Sequence, residues 1–171
     1  AVVLATGGYS GLFARRLSTA DTTGMGHFLA VQAGARLVNL EFMQMMPGYL
    51  SPKAGIVFNE KTFRYVRLTD GTGHDLLAHL PDKEALLTRW GTYGPFTSGL
   101  PSLSVDRAID KACAETPEGR GVEYTDALWH EMPEFIRVYL DWLAEHHGIS
   151  PNDPARLGLY AHAANGGIYI D

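Results

Sequence analysis

Cysteine is almost missing. Cys113 stands alone among 171 residues, so neither an internal disulfide framework nor a cysteine-built metal site can form. Positive charge is also scarce: 14 Lys and Arg against 19 Asp and Glu leave a net charge of −5. With no basic stripe to neutralise phosphates, nucleic acid and anionic membrane surfaces are poor partners. Apolar runs stay well below the ~18 residues a membrane helix needs, and no signal-peptide pattern occurs. We therefore expect no direct membrane insertion and a cytoplasmic location. The G-x-G-x-x-G of a dinucleotide fingerprint appears nowhere. Two adjacent histidines, His146 and His147, would point apart on a helix, so no metal is expected there.

What remains is rich in core formers, with 46% hydrophobic and 19% charged residues, so an ordered fold is expected. The sequence opens on Ala1-Val2-Val3-Leu4-Ala5 without a Met. A run apolar on both faces reads as a buried parallel strand that needs neighbours on each side, and no second run of that kind follows. The expectation is a fragment of a longer protein, beginning at one strand of a larger sheet.

Glycine clusters mark three places. Thr6-Gly7-Gly8 follows the first apolar run, and bare backbone there suits either a phosphate cradle or a tight exit from a strand. Thr23-Gly24-Met25-Gly26 opens a helix over about 23–34, with Thr22 or Thr23 as its cap and Phe28, Leu29 and Ala33 inward. Glycine in a first turn costs about 1 kcal/mol relative to Ala, so close approach of a cofactor or of a neighbouring strand must compensate. Near the end, His162-Ala163-Ala164-Asn165-Gly166-Gly167 puts an imidazole at the lip of a turn between the strands 157–161 and 168–170. A polar ligand contact and a structural histidine in a hairpin both fit that pattern.

Between these clusters the pattern predicts strands at 36–46, 55–59, 63–68, 76–80 and 122–124, with a turn-rich boundary at 47–52. Helices are expected near 82–90, 103–115 and 132–147. Glu41 and Gln44 interrupt the apolar stretch 36–46 and are expected to be buried and paired. The aromatic loop from Tyr93 to Pro101 is long enough to carry binding residues.

Ala5-Thr6-Gly7-Gly8, Thr23-Gly24-Met25-Gly26, Asn39-Leu40-Glu41-Phe42-Met43-Gln44 and His162 to Asp171 together resemble the FAD-dependent succinate dehydrogenase/fumarate reductase flavoprotein superfamily. L-aspartate oxidase and adenylylsulfate reductase α chains belong to it as well. The family pattern runs A-T-G-G, T-G-D-G, D-M-E-F-x-Q-F-H-P and H-x-x-x-G-G-I-x-x-D, in the order found here over nearly the whole chain. The resemblance implies an α+β fold of mixed short strands and packed helices. Residues 1–35 would be a remnant of the FAD-binding domain and residues 36–171 the cap, or substrate, domain.

The resemblance also implies FAD in the full-length parent, held in part by Thr6, Gly7, Gly8, Thr23 and Gly24. The fragment alone is not expected to hold it. His162 would contact and orient a small-molecule substrate, with a carboxylate among the candidates, as a hydrogen-bond donor; Gly166, Gly167 and Glu41 would help bind it. The missing FAD-binding domain of the same chain is the implied partner. Three departures stand out. Met25 replaces the T-G-D-G acid, Met46 replaces the His before Pro47, and Ser102 occupies the place of the proton-donating Arg. They argue against plain fumarate as substrate and leave Tyr93, Arg107 and Glu41 as titratable alternatives. The competing reading is a non-catalytic ligand-binding or interaction module derived from the cap domain.

Overall fold

The computed structural model describes residues 2–70, 72–93, 101, 103–115 and 120–170. They fall into two compact units, residues 1–46 with 160–171, and residues 47–159. These boundaries differ from a division at residue 35. Helices and antiparallel strand pairs make the chain α+β, as expected. The two long strands are β2 (Met43–Ser51) and β5 (Ala155–Ala164). With β3 (Val66–Thr69) and β4 (Arg120–Tyr124) they form one sheet in the order β2-β5-β4-β3.

The larger unit holds the aromatic core. Tyr49, Phe58 and Phe63 are buried edge-to-face at centroid distances of 5.4 and 5.1 Å, an arrangement that adds electrostatic attraction to area burial. Helices α2 (Lys83–Tyr93), α3 (Leu103–Glu115), α4 (Asp126–Glu131) and α5 (Glu134–His147) belong to the same unit. Helix α5 buries Ile136, Leu140 and Leu143, one stripe at helical spacing. It ends where Gly148 takes φ +65° and returns its N–H to Ala144.

Several expectations change here. Pro47 to Ser51 lies inside β2 rather than in a turn; β2 ends the strand order, where a residue without an N–H is tolerated. Residues 60–65 form a 3₁₀ turn because the Asn59 side chain accepts from the Lys61 N–H, so β3 begins only at Val66. Residues 76–80 are turns instead of a strand, and α4 was not anticipated. Ser102 and residues 94–100 of the aromatic loop lie outside the described residues.

In the smaller unit, Val2 and Val3 are 90% and 85% exposed and form no strand; the strand expected of this run belongs to the sheet of a longer protein. An apolar run becomes a strand only when partners meet its edges, and none of the described strands does. Helix α1 spans Met25–Gln32. Its cap is Gly24 at φ +78° instead of a threonine, since that left-handed conformation strains any β-branched residue. It buries Gly26 and Ala30 while Phe28 and Leu29 are 57% and 50% exposed, the reverse of the expected face. The reason is proximity: a Cβ on Gly26 would collide with the Thr6 side chain, so only the smallest residues fit that side. The predicted strand 36–46 breaks at Asn39, φ +57°, into β1 (Leu37–Val38) and β2. Strand β6 (Gly167–Ile168) pairs antiparallel with β1, Leu37 opposite Ile168, so β5 and β6 are not a hairpin.

Candidate functional site

Hydrogen bonds fix the glycine-rich segment before α1. Ser10 Oγ donates to Ser18 Oγ at 2.6 Å, Thr22 Oγ1 donates to the Thr19 carbonyl at 2.8 Å, and the Gly11 N–H meets the Thr22 carbonyl at 2.9 Å. The loop is thereby folded back so that the Gly24 N–H reaches the Gly8 carbonyl at 3.1 Å. This joins two of the predicted cofactor segments, Thr6-Gly7-Gly8 and Thr23-Gly24. The third cluster lies beside them. A Cβ on Gly8 would sit 3.2 Å from Ala164 Cβ, and one on Gly167 would sit 3.4 Å from His27 Nε2.

The glycines have separable reasons. Gly7 and Gly24 take φ of +68° and +78°, which L side chains rarely adopt. Gly26 and Gly166 are explained by protein atoms, Thr6 in one case and the Val38 and Asn39 carbonyls in the other. Neither of the latter pair needs a ligand to account for it.

Tyr9, Leu12, Thr23, Gly24, His27 and Leu40 line a pocket of about 300 Å³. Tyr9 donates its hydroxyl to the Leu40 carbonyl at 2.6 Å and meets the His27 ring edge-on at 5.4 Å. Burial, reinforced by the Glu41 carboxylate, pushes its phenol pKa upward, so it serves as a donor. His27 Nδ1 is buried without a hydrogen-bond partner among the described residues. Among the described residues no side chain caps the N-terminus of α1, which therefore presents its positive end at this pocket. Uncapped N–H groups, left-handed glycines and an orphaned imidazole nitrogen fit a large cofactor that carries both anionic and heteroaromatic parts.

His162 is exposed on β5, two residues before Ala164, and its Nδ1 lies 3.0 Å from Gln44 Oε1. Gln44 is half-buried and paired, close to expectation. Glu41 is not: it is exposed on the turn that Asn39 forces, where it acts on Tyr9. Asn165 holds the next turn in place by donating its N–H to the Phe42 carbonyl at 2.9 Å. Thus Thr6, Gly7, Gly8, Gly24, Gly166 and Gly167 share one compact unit and touch through their neighbours, and His162 stands on the strand leading in. Thr23 lines the pocket.

Sequence reasoning missed Tyr9 and His27, although each directly follows a glycine of a cluster already singled out. Among the described residues no group of three His, Cys, Asp or Glu could hold a metal. No described helix is long and apolar enough to cross a membrane.

Comparison with known proteins agrees with this geometry. Residues 1–86 match a family described as an FAD binding domain. L-aspartate oxidase of Mesorhizobium japonicum is 34% identical over 177 residues, covering 99% of this chain and 31% of that protein. The Streptomyces coelicolor L-aspartate oxidase is 28% identical, covering 100% and 28%. Among solved structures, Mycobacterium smegmatis Sdh1 in complex with UQ1 superposes with a TM-score of 0.69 at 26% identity, over all of this chain and 28% of that one. A quinol-fumarate reductase shares the fold, with a TM-score of 0.63 at 24% identity over 100% and 31%. The chain therefore spans about a third of the length of these relatives. On its motifs, its fold and the matched family, the chain belongs to the FAD-dependent succinate dehydrogenase/fumarate reductase flavoprotein superfamily.

Proposed function

We infer that the chain is part of an FAD-dependent oxidoreductase acting on a small carboxylate-bearing substrate. In this reading the chain contributes to the flavin site and carries the cap that closes over the substrate. The observation that carries it is the mutual approach of residues 6–8, 24–27 and 164–167 beside a pocket lined by Tyr9, Thr23, Gly24 and His27, where among the described residues no side chain caps α1 and His27 Nδ1 has no partner. FAD, when bound, supplies two-electron transfer to or from the substrate. The chain's own residues do the rest. The backbone of Thr6-Gly7-Gly8 and of Thr23-Gly24 contacts the cofactor, and the positive end of α1 meets its anionic part. His162 hydrogen-bonds the substrate beside the Gly166-Gly167 turn, and Glu41 accepts from a donor group of the substrate.

A longer parent is supported by two facts. The chain covers about 30% of its relatives, and α1 is apolar on every side, with Met25, Phe28, Leu29 and Val31 all exposed. A helix apolar all round is normally buried, and the partner proposed to cover it is the remainder of the FAD-binding domain of the same protein. The relatives are L-aspartate oxidases, so amino acids are the first substrates to assay.

The visible spectrum of the purified longer protein tests the cofactor: flavin bands are expected, and a colourless protein that takes up no FAD refutes the assignment. Titration of the 171-residue chain with FAD should give only weak binding. A sub-micromolar dissociation constant, tighter than about −8 kcal/mol, would show that the chain holds the cofactor by itself.

A further inference from the structure

The imidazole of His162 is met at one of its two nitrogens. Its Nδ1 lies 3.0 Å from Gln44 Oε1, an amide oxygen that can only accept, so the hydrogen between them belongs to Nδ1. Gln44 is half-buried on β2 whereas His162 is exposed on β5, so the anchored end of the pair is the amide. The geometry points to Gln44 as a positioning residue for His162, holding the ring by Nδ1–H and leaving Nε2 as the nitrogen presented to the substrate. This rests on the assignment of His162 to the substrate site. In the singly protonated ring, Nε2 then carries the lone pair and accepts from an amine or hydroxyl of the substrate. A carboxylate is met only when the ring carries a second hydrogen, on Nε2, with Gln44 Oε1 still accepting from Nδ1. In both states the ring plane and the presented atom are set by Gln44.

The pairing is tested on the ¹⁵N-labelled 171-residue chain by long-range proton–nitrogen correlation of the histidine rings, with the His162 signals identified by their loss in His162→Asn. The expected result is a protonated-type shift for Nδ1 in the wild type and in Gln44→Glu, which keeps the acceptor. Gln44→Leu, which removes it, should lose that preference. A wild-type ring with its hydrogen on Nε2, or a Gln44→Leu ring indistinguishable from wild type, overturns the pairing. The positioning role is tested in the full-length flavoprotein. There Gln44→Leu should lower kcat/KM about five- to tenfold, the worth of one hydrogen bond, with the flavin spectrum unchanged. Gln44→Glu should restore it to within about threefold. Equal loss in the Glu and Leu variants, or none in either, overturns that role. If the ring signals behave as expected but His162→Ala leaves kcat/KM intact, the assignment of His162 to the substrate site has failed while the Gln44–His162 pairing stands.

Discussion

Gly166→Ala is the most demanding test of how the smaller unit is built. The new methyl would lie 2.5 Å from the Val38 carbonyl oxygen and closer still to the Asn39 carbonyl, where ordinary contact begins at 3.4 Å. Both obstacles are backbone, so no side chain can swing aside, and reaching ordinary contact with the Asn39 oxygen takes more than an ångström of separation. Overpacking of this kind costs about 1–3 kcal/mol, and rigid backbone neighbours put the site at the upper end. The same movement strains the β1–β6 pairing and the Asn165 N–H bond to Phe42, each hydrogen bond worth about 1 kcal/mol net. The expected loss is therefore about 2–3 kcal/mol, read from urea unfolding by linear extrapolation. Amide exchange localises it: Tyr169, whose N–H meets the Arg36 carbonyl at 2.8 Å, should lose protection. Gly34→Ala is the control, since among the described residues nothing lies within 4 Å of its Cβ and its φ of +89° is what opposes the change. A Gly166→Ala chain within about 0.5 kcal/mol of wild type, with Tyr169 still protected, would falsify the close packing of residues 164–167 on β1.

His162→Ala in the full-length enzyme should lower kcat/KM by more than tenfold; a fall under threefold, less than about 1 kcal/mol of transition-state binding, removes it from the site. His27→Leu fills a similar space without a ring nitrogen, so it should weaken FAD retention in the full-length protein, measured by dialysis and absorbance; unchanged retention returns His27 to a purely structural role. Ile136→Ala, at a fully buried position on α5, should cost about 3 kcal/mol in urea unfolding without altering the flavin spectrum of the full-length protein. Asp70 has its carboxyl pKa lowered from 3.8 to about 2, first by the Thr72 hydroxyl and then by the Thr72 and His74 N–H groups. Its contribution to stability is therefore present above pH 3.8 and lost as pH falls towards about 2, and Thr72→Val should raise the value in a carbon-detected titration.

Helices α3 and α5 were legible because their apolar residues recur at 3.6-residue spacing, and the stripe of Ile136, Leu140 and Leu143 is the one α5 buries. Helix α1 was legible in place but not in orientation. Its large side chains point away from the unit because Gly26 is the residue small enough to lie against Thr6, and hydrophobicity alone cannot express that preference. The break at Asn39 hid in an apolar run, although asparagine is the residue besides glycine that most readily accepts a left-handed conformation. Much of the candidate site was visible as glycine clusters and a histidine. Tyr9 and His27 were not, because an aromatic after Gly-Gly and an imidazole in a first helical turn have ordinary structural uses. Only the folded loop shows them facing one pocket.

The burial of the two units differs in a way that bears on the site. The larger unit puts Tyr49, Phe58, Phe63 and Tyr65 almost wholly inside, so its fold is accounted for by its own core. The smaller unit spends little apolar area internally. Gly26, Ala30 and Ala161 are among its buried residues, while Val2, Met25, Phe28, Leu29, Phe42 and Ile170 are exposed. At roughly 25 cal/mol per Å², burying those six side chains would contribute several kcal/mol, comparable to the whole stability of a small domain. Its described order rests instead on short-range hydrogen bonds among Ser10, Ser18 and Thr22 and on glycine-mediated backbone contact. Such a unit is stabilised by whatever covers it. On the function proposed above, cofactor retention and folding of the smaller unit should be coupled, because a partner docking on α1 would order the same loop that carries Thr6, Gly7, Gly8 and Gly24. The coupling predicts that FAD added to the full-length protein raises amide protection at Gly24 and Tyr169 together, and protection gained at one without the other would separate the loop from the sheet.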